Sequence, residues 1–226
     1  MPRRQSGKPL WTAVDKYLGD LFAAHDEHHD AALDANRKAA LPAIDVSPLQ
    51  GKFLQFLVHA SQAKRVLEIG LLGGYSTMWM ARALPRGGRI VSLEFSPRHA
   101  EIASANLKRA GLLKRVDIRV GPALESLPIL AKERGGKFDL IFIDADKDNN
   151  PHYLDWAIKL SRRGSIIVVD NVACHGHIIE SKNPAGDIQG TRRCLEMMAT
   201  NPRLGAFALQ TVGLKGLDGF AAAVVL

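Results

Sequence analysis

Asp144, Asp146 and Lys147 follow the apolar run Phe138 to Ile143, and Asp170-Asn171 follows the run Ser165 to Val169. If the two runs are neighbouring parallel strands, their ends lie side by side, and two carboxylates and an amide oxygen converge on one spot. Hard oxygen donors of this kind suit Mg²⁺, Mn²⁺ or Ca²⁺ better than Zn²⁺, and three protein ligands leave room for water and substrate. Either aspartate alone would read as the cap of a following helix. The pair with Asn171 reads as a divalent-cation site. Lys147 is then either a solvated lysine or, beside a cation and away from water, a base that takes a proton.

A second chemical signal precedes the first. The run Val66 to Ile69 ends in Gly70-Leu71-Leu72-Gly73-Gly74-Tyr75-Ser76, which leads straight into a helical pattern. Glycines let a backbone turn sharply and approach a ligand closely, and the helix N-terminus offers free N–H groups to a carboxylate or phosphate. Alone, this loop could be an ordinary strand-to-helix turn, and it is not a strict G-x-G-x-x-G. Glu94 adds to it: it ends the next strand, twenty residues after Gly74, where an acid can accept both hydroxyls of a ribose. Together they point to an adenosine-containing ligand. Glu68 lies inside an apolar strand, and a buried carboxylate needs a partner. A ligand with an ammonium or sulfonium group would be one.

These groups need a scaffold. Trp11, Val14, Leu18, Leu21 and Phe22 recur at helical spacing, which predicts one helix from Trp11 to about Ala40, ended by Pro42 and Pro48. A second helix carries Phe53, Leu54, Phe56 and Leu57. From Arg65 onward strands and helices alternate: strands at Val66–Ile69, Arg89–Leu93, Val116–Val120, Phe138–Ile143 and Ser165–Val169, with helices at Tyr75–Leu84, Pro97–Ala110, Leu124–Arg134 and Tyr153–Leu160 between them. The tail reads as a helix over Gln189–Thr200, then strands Phe207–Val212 and Gly219–Val225 joined by a turn at Gly213–Gly216. This order predicts an α/β fold with a seven-stranded sheet, parallel except for a reversed last strand, and helices on both faces.

With 226 residues, 46% hydrophobic and 23% charged, the chain has the composition of a globular protein. Its longest apolar stretch, Phe220 to Leu226, is far below the roughly 20 residues that span a bilayer. No apolar run of secretory length follows the basic stretch Met1 to Lys8, and two cysteines, Cys174 and Cys194, are too few for a disulfide framework. A reduced, cytoplasmic setting is expected, with no membrane partner. The net charge of +7 is spread over many short groups, without a dense basic block interleaved with aromatics, so no nucleic-acid partner is expected.

The motifs Val66-Leu67-Glu68-Ile69-Gly70 with Gly74-Tyr75-Ser76-Thr77, Phe142-Ile143-Asp144-Ala145-Asp146-Lys147, and Val169-Asp170-Asn171-Val172 resemble those of the cation-dependent O-methyltransferases. That family includes catechol O-methyltransferase and the caffeoyl-coenzyme A O-methyltransferases. The resemblance runs from about Leu41 to the C-terminus, which divides the chain into an N-terminal helical extension (1–40) and a methyltransferase domain (41–226). It implies the Rossmann-like class I methyltransferase fold and S-adenosylmethionine as cofactor, contacted by Val46, Glu68, Gly70, Ser76, Glu94, Ala123 and Asp144. It further implies Asp144, Asp170 and Asn171 as ligands of a divalent cation (Mg²⁺, or Mn²⁺ or Ca²⁺), Lys147 as general base, and a small-molecule hydroxyl acceptor such as a catechol-like vicinal diol. Asp146 stands where acyl-CoA-type members have a substrate-contacting aspartate, and a homodimer is common in the family. Two departures bear on the acceptor. Ala145-Asp146 replaces the His-Trp that the catechol enzyme carries before its lysine, and no counterpart to that enzyme's later catechol-binding glutamate can be aligned.

Other features read as structural. His25, His28 and His29 read as a solvated helix surface, although His25 and His29 have a zinc-compatible spacing. Cys174, His175 and His177 lack the paired spacing of structural zinc sites, and Val172 to Gly190 reads as a loop over the site. Tyr153 and Trp156 read as helix packing, with the acceptor as a second contact for Tyr153. The rival reading is an NAD(P)-binding oxidoreductase, which shares the glycine loop and ribose acid but has no need of the Asp144, Asp170 and Asn171 cluster.

Overall fold

A computed structural model describes residues 10–24, 26–133 and 135–226. Three helices come first: α1 (Leu10–Phe22), α2 (Glu27–Lys38) and α3 (Pro48–Ala60). Alternation then begins, with β1 (Arg65–Ile69), α4 (Tyr75–Ala83), β2 (Arg89–Glu94), α5 (Pro97–Arg109), β3 (Val116–Val120), α6 (Ala123–Lys132), β4 (Phe138–Ile143), α7 (Asn150–Leu160) and β5 (Ser161–Asp170). The chain closes with α8 (Gly186–Thr200), β6 (Leu204–Gly213) and β7 (Gly216–Val225).

The seven strands form one sheet in the order β3-β2-β1-β4-β5-β7-β6. β1 to β5 pair in parallel, and β7 runs antiparallel to both β5 and β6. The expected sheet is therefore present, with its single reversed strand. β4 is buried at every position, because helices cover both faces and a central strand has no wet side. Its alternate residues divide between two cores. Ile141 and Ile143 pack with Leu67, Ile69, Leu154 and Leu127 on one face. Leu140 and Phe142 pack with Val66, Leu54, Met78 and Trp79 on the other. Among the described residues no helix is long and apolar enough to cross a membrane.

Several boundaries differ from expectation for local reasons. The single N-terminal helix is broken after Phe22, and Asp26 starts a new one: its carboxylate accepts the N–H groups of His28 and His29, each at 3.1 Å. A short acidic side chain placed there satisfies helix-end donors better than an interior position would. His29 is not on the solvated surface expected of it. His29 is 1% exposed, its ring stacked at 4.2 Å on that of Trp79, while His25, like Arg134 at the expected end of α6, lies outside the described residues. α8 begins earlier than Gln189 because Gly186 and Gly190, which read as loop, are where the helix meets the turn after β4. A Cβ on Gly190 would lie 2.3 Å from the carbonyl oxygen of Lys147. The β6–β7 hairpin is tighter than expected, closing at the pair Gly213 and Gly216 around Leu214-Lys215.

Asp26 also anchors α2 to α4 through an ion pair with Arg82 at 2.5 Å. Partial burial opposes its charge, but the Arg82 guanidinium and the His29 N–H outweigh it and hold the carboxyl at about 2, below its ordinary 3.8. A depressed carboxylate contributes stability that is present above pH ~4 and lost as the pH falls toward 2. The side chain is 43% exposed, so solvent screening trims the ionic part. With the cap included, Asp26→Ala should lower the unfolding free energy by about 1–2 kcal/mol at pH 7. The gap to wild type should shrink between pH ~4 and 2. Urea titrations across that range check it, and a pH-independent gap would exclude the charge.

Candidate active site

The site is built by register. Ile69 pairs with Leu93 and with Ile143, and Ile143 pairs with Val169. The next residues therefore stand at one level at the strand ends, Gly70 and Asp144 just past β1 and β4, Glu94 and Asp170 as the last residues of β2 and β5. The order reverses between β1 and β4, the place where an open parallel sheet leaves a crevice at its strand ends. A cleft of about 1330 Å³ opens there.

Gly70 has φ +99°, and a Cβ on it would meet the carbonyl oxygen of Asp144 at 2.0 Å. Only glycine fits between β1 and β4 at this point. Gly74 caps α4 in the left-handed region (φ +80°) and brings no side chain to the helix end. This leaves N–H groups free to face an anion. Glu94 shapes the loop between these glycines. One carboxylate oxygen accepts the N–H groups of Leu71 and Leu72 at 3.1 and 2.8 Å, and the other accepts that of Ser96 at 2.9 Å. Val46, Gly70, Ser76, Glu94 and Ala123 all line the cleft.

Glu68 does not line it. It is fully buried, and the partner it needs comes from the protein, where the sequence had suggested a ligand: the hydroxyls of Ser76, Thr77 and Ser92 donate to it at 2.6, 2.6 and 2.7 Å. Burial nonetheless pushes its carboxyl up to about 7, with the charge of Asp144 adding to the effect.

At the other end Asp144, Asp146, Lys147, Tyr153 and Asn171 share the cleft wall. Lys147 Nζ donates to Asp144 Oδ1 at 2.9 Å, and Tyr153 Oη donates to Asp146 at 2.5 Å. Tyr153 is at the same time buried in the core, and burial together with Asp146 raises its phenol well above the ordinary range. Asp170 is 2% exposed and accepts from Gln50 Nε2 at 2.5 Å. Burial first, and then the charge of Asp144, push its carboxyl up to about 7. Among the described residues no three His, Cys, Asp or Glu side chains group to hold a metal. The candidate set instead combines two carboxylates with an amide. A buried carboxylate whose charge a second carboxylate disfavours is one that a cation would satisfy, so the donor set fits a hard divalent ion.

Sequence reasoning missed two groups that contact the candidate ligands. Gln50 comes from α3, and nothing in its local pattern marks it. Asp218 reads as turn chemistry before Gly219, yet it lines the cleft and takes the amide of Asn171. The segment 172–190 does border the cleft, through Cys174, His175, His177 and Asp187.

Fold and site together define a Rossmann-like α/β enzyme that couples a glycine-loop pocket to an acidic strand-tip pocket. A model of the O-methyltransferase family matches residues 25–217. A catechol O-methyltransferase of Mycobacterium tuberculosis is 54% identical over 212 residues, covering 94% of each chain. A catechol O-methyltransferase of Niastella koreensis is 47% identical over 216 residues, covering 96% of this chain and 98% of that protein. The crystal structure of an O-methyltransferase from Bacillus cereus in complex with SAH superposes with a TM-score of 0.93 at 53% identity, covering 96% of this chain and 98% of that one. The chain belongs to the O-methyltransferase family. The oxidoreductase alternative finds no support in these matches.

Gly70→Ala tests the register row. Strain at a positive φ costs about 1–3 kcal/mol, and the contact with the Asp144 carbonyl adds to it. Gly87 (φ +81°) has nothing within 4 Å of an added Cβ and serves as control. Gly70→Ala should lose clearly more stability than Gly87→Ala in urea unfolding; equal losses would show that the strand tips are not tightly apposed.

Proposed function

We propose that this chain transfers the methyl of S-adenosylmethionine to one hydroxyl of a small vicinal diol of the catechol type, with a divalent cation, Mg²⁺ in the first instance, held by Asp144, Asp170 and Asn171. The observation that carries this is the row of strand tips, which sets the glycine loop, Asp144 and Asp170 at neighbouring positions and opens Gly70, Asp144 and Asn171 to one cleft. The SAH complex of the Bacillus cereus structure and the catechol enzymes among the relatives support it.

S-adenosylmethionine supplies a methyl on a positively charged sulfur. The open N-terminus of α4 suits its carboxylate, and Glu94 lies at the strand end that suits its ribose. A divalent cation would make a nearby hydroxyl more acidic. Lys147 Nζ, positioned against Asp144, is the atom that takes the acceptor's proton. Asp146 and Tyr153, bonded to each other, form the wall beside it. Holding donor and acceptor in one cleft replaces a chance encounter with a fixed approach, a large part of such accelerations.

A homodimer in the cytoplasm belongs to the same reading. α1 buries none of its residues, and it exposes Leu10, Tyr17, Leu21 and Phe22 while packing against α3 and β6, which expose Phe56, Phe207 and Leu209. Apolar surface on this scale marks an association face.

Vicinal diphenols should be methylated with Mg²⁺ present and not in chelator. Asp170→Ala should abolish transfer and metal dependence together, whereas near-full activity in chelator removes the cation from the proposal. Lys147→Ala should lower kcat by about 10²-fold or more while leaving cofactor affinity unchanged. Weakened cofactor binding with intact kcat would exclude it as the base.

A further inference from the structure

Asn171 can serve a cation only through its side-chain oxygen, because its NH₂ end carries two donors and no free lone pair. The residue sits in the left-handed region (φ 56°) immediately after β5. Something must decide which end of this amide faces the strand-tip carboxylates. Its Nδ2 donates to Asp218 Oδ2 at 2.8 Å. The second oxygen of Asp218 accepts the N–H of Gly219 at 2.9 Å. A carboxylate only accepts, so an amide turned the other way would set its oxygen against the oxygens of Asp218.

The sheet fixes this contact. β7 is the one reversed strand, and it pairs Asp170 with Phe220 and Val169 with Ala221. Val172 N–H donates to the carbonyl of Gly219 at 3.0 Å. The chain just past β5 is thereby tied to the start of β7, which brings the Asp218 side chain within hydrogen-bond reach of Asn171. Asp218 also lines the cleft.

We infer that Asp218 is a positioning residue, which holds the Asn171 amide with its oxygen toward the cation site and its nitrogen away. The inference rests on the reading that Asp144, Asp170 and Asn171 hold a divalent ion. It adds a third acidic residue to that site, one that acts through Asn171 and donates nothing to the ion itself.

Manganese affinity, followed by the change in its paramagnetic resonance signal on binding, tests this without turnover. Partners of this kind are worth about 10- to 100-fold in metal affinity. In the otherwise unchanged chain, Asp218→Asn should therefore weaken Mn²⁺ binding about 10-fold, with thermal unfolding unaltered. In an Asn171→Asp background the effect should reverse. There the two side chains would be like charges in contact, and Asp218→Asn supplies an NH₂ that restores the bond with its polarity exchanged, so Mn²⁺ affinity should rise.

If Asp218 acted by its charge alone or as a direct ligand, Asp218→Asn would weaken binding in both backgrounds, and that result overturns the inference. Unchanged affinity in the first background overturns it as well, while leaving the cation site standing. A wild-type chain that binds no Mn²⁺ refutes the cation reading and this inference with it.

Discussion

Parallel strands in register leave their sheet at a common height, and here that geometry acts on four strands at once. Ile69, Leu93, Ile143 and Val169 stand at one level of the ladder. Whatever follows them is forced into contact with its neighbours. At Gly70 the contact is so close that a methyl group would overlap the carbonyl oxygen of Asp144, just past β4. The glycine loop, the acid at Glu94 and the carboxylates of Asp144 and Asp170 thus depend on one ladder. A one-residue slip of β4 would turn its apolar residues to the wrong face and pull the two pockets apart.

Two buried acids in this row are treated differently by their surroundings. Glu68 sits one turn of the pleat below the surface, where three hydroxyls donate to it and no opening reaches it. Its work is internal, as it ties the first turn of α4 to β1 and β2. Asp170 has fewer donors, the Gln50 amide and the Asn171 N–H, and its neighbours Asp144 and Asn171 line the cleft. Burial disfavours the charge of both groups, and under the proposed cation site only Asp170 would be answered by a positive charge from outside the chain. Two carboxylates of similar burial can in this way have separate roles.

Much of the architecture was legible in the residues. The apolar runs of β1 and β4, the glycines after β1 and the acids at the ends of β2, β4 and β5 announce the strands and the level at which they end. What was not legible depends on contacts distant in sequence. Nothing near Asp26 says that Arg82 will reward a break in the first helix, and nothing near Gly190 says that the carbonyl of Lys147 will lie against it. The hydroxyl partners of Glu68 come from three places, Ser76, Thr77 and Ser92, so the need for a partner was readable but its source was not. Gln50 and Asp218 were missed for the same reason. Each reaches its partner across a gap that only the fold closes, Asp218 to Asn171 and Gln50 to Asp170 from 120 residues away.

The glycine contact of α8 has a consequence for how such a cleft can diversify. Because the helix rests backbone to backbone on the turn after β4, the spacing between it and Lys147 is set by atoms common to every amino acid. Mutation at that point has almost no freedom. The stretch from 177 to 185 has no such glycine contact, and it borders the same opening through His177. Changes in its length or bulk can widen or narrow the doorway while the chemistry at its threshold stays the same, so new acceptors can be recruited without rebuilding the machinery that methylates them.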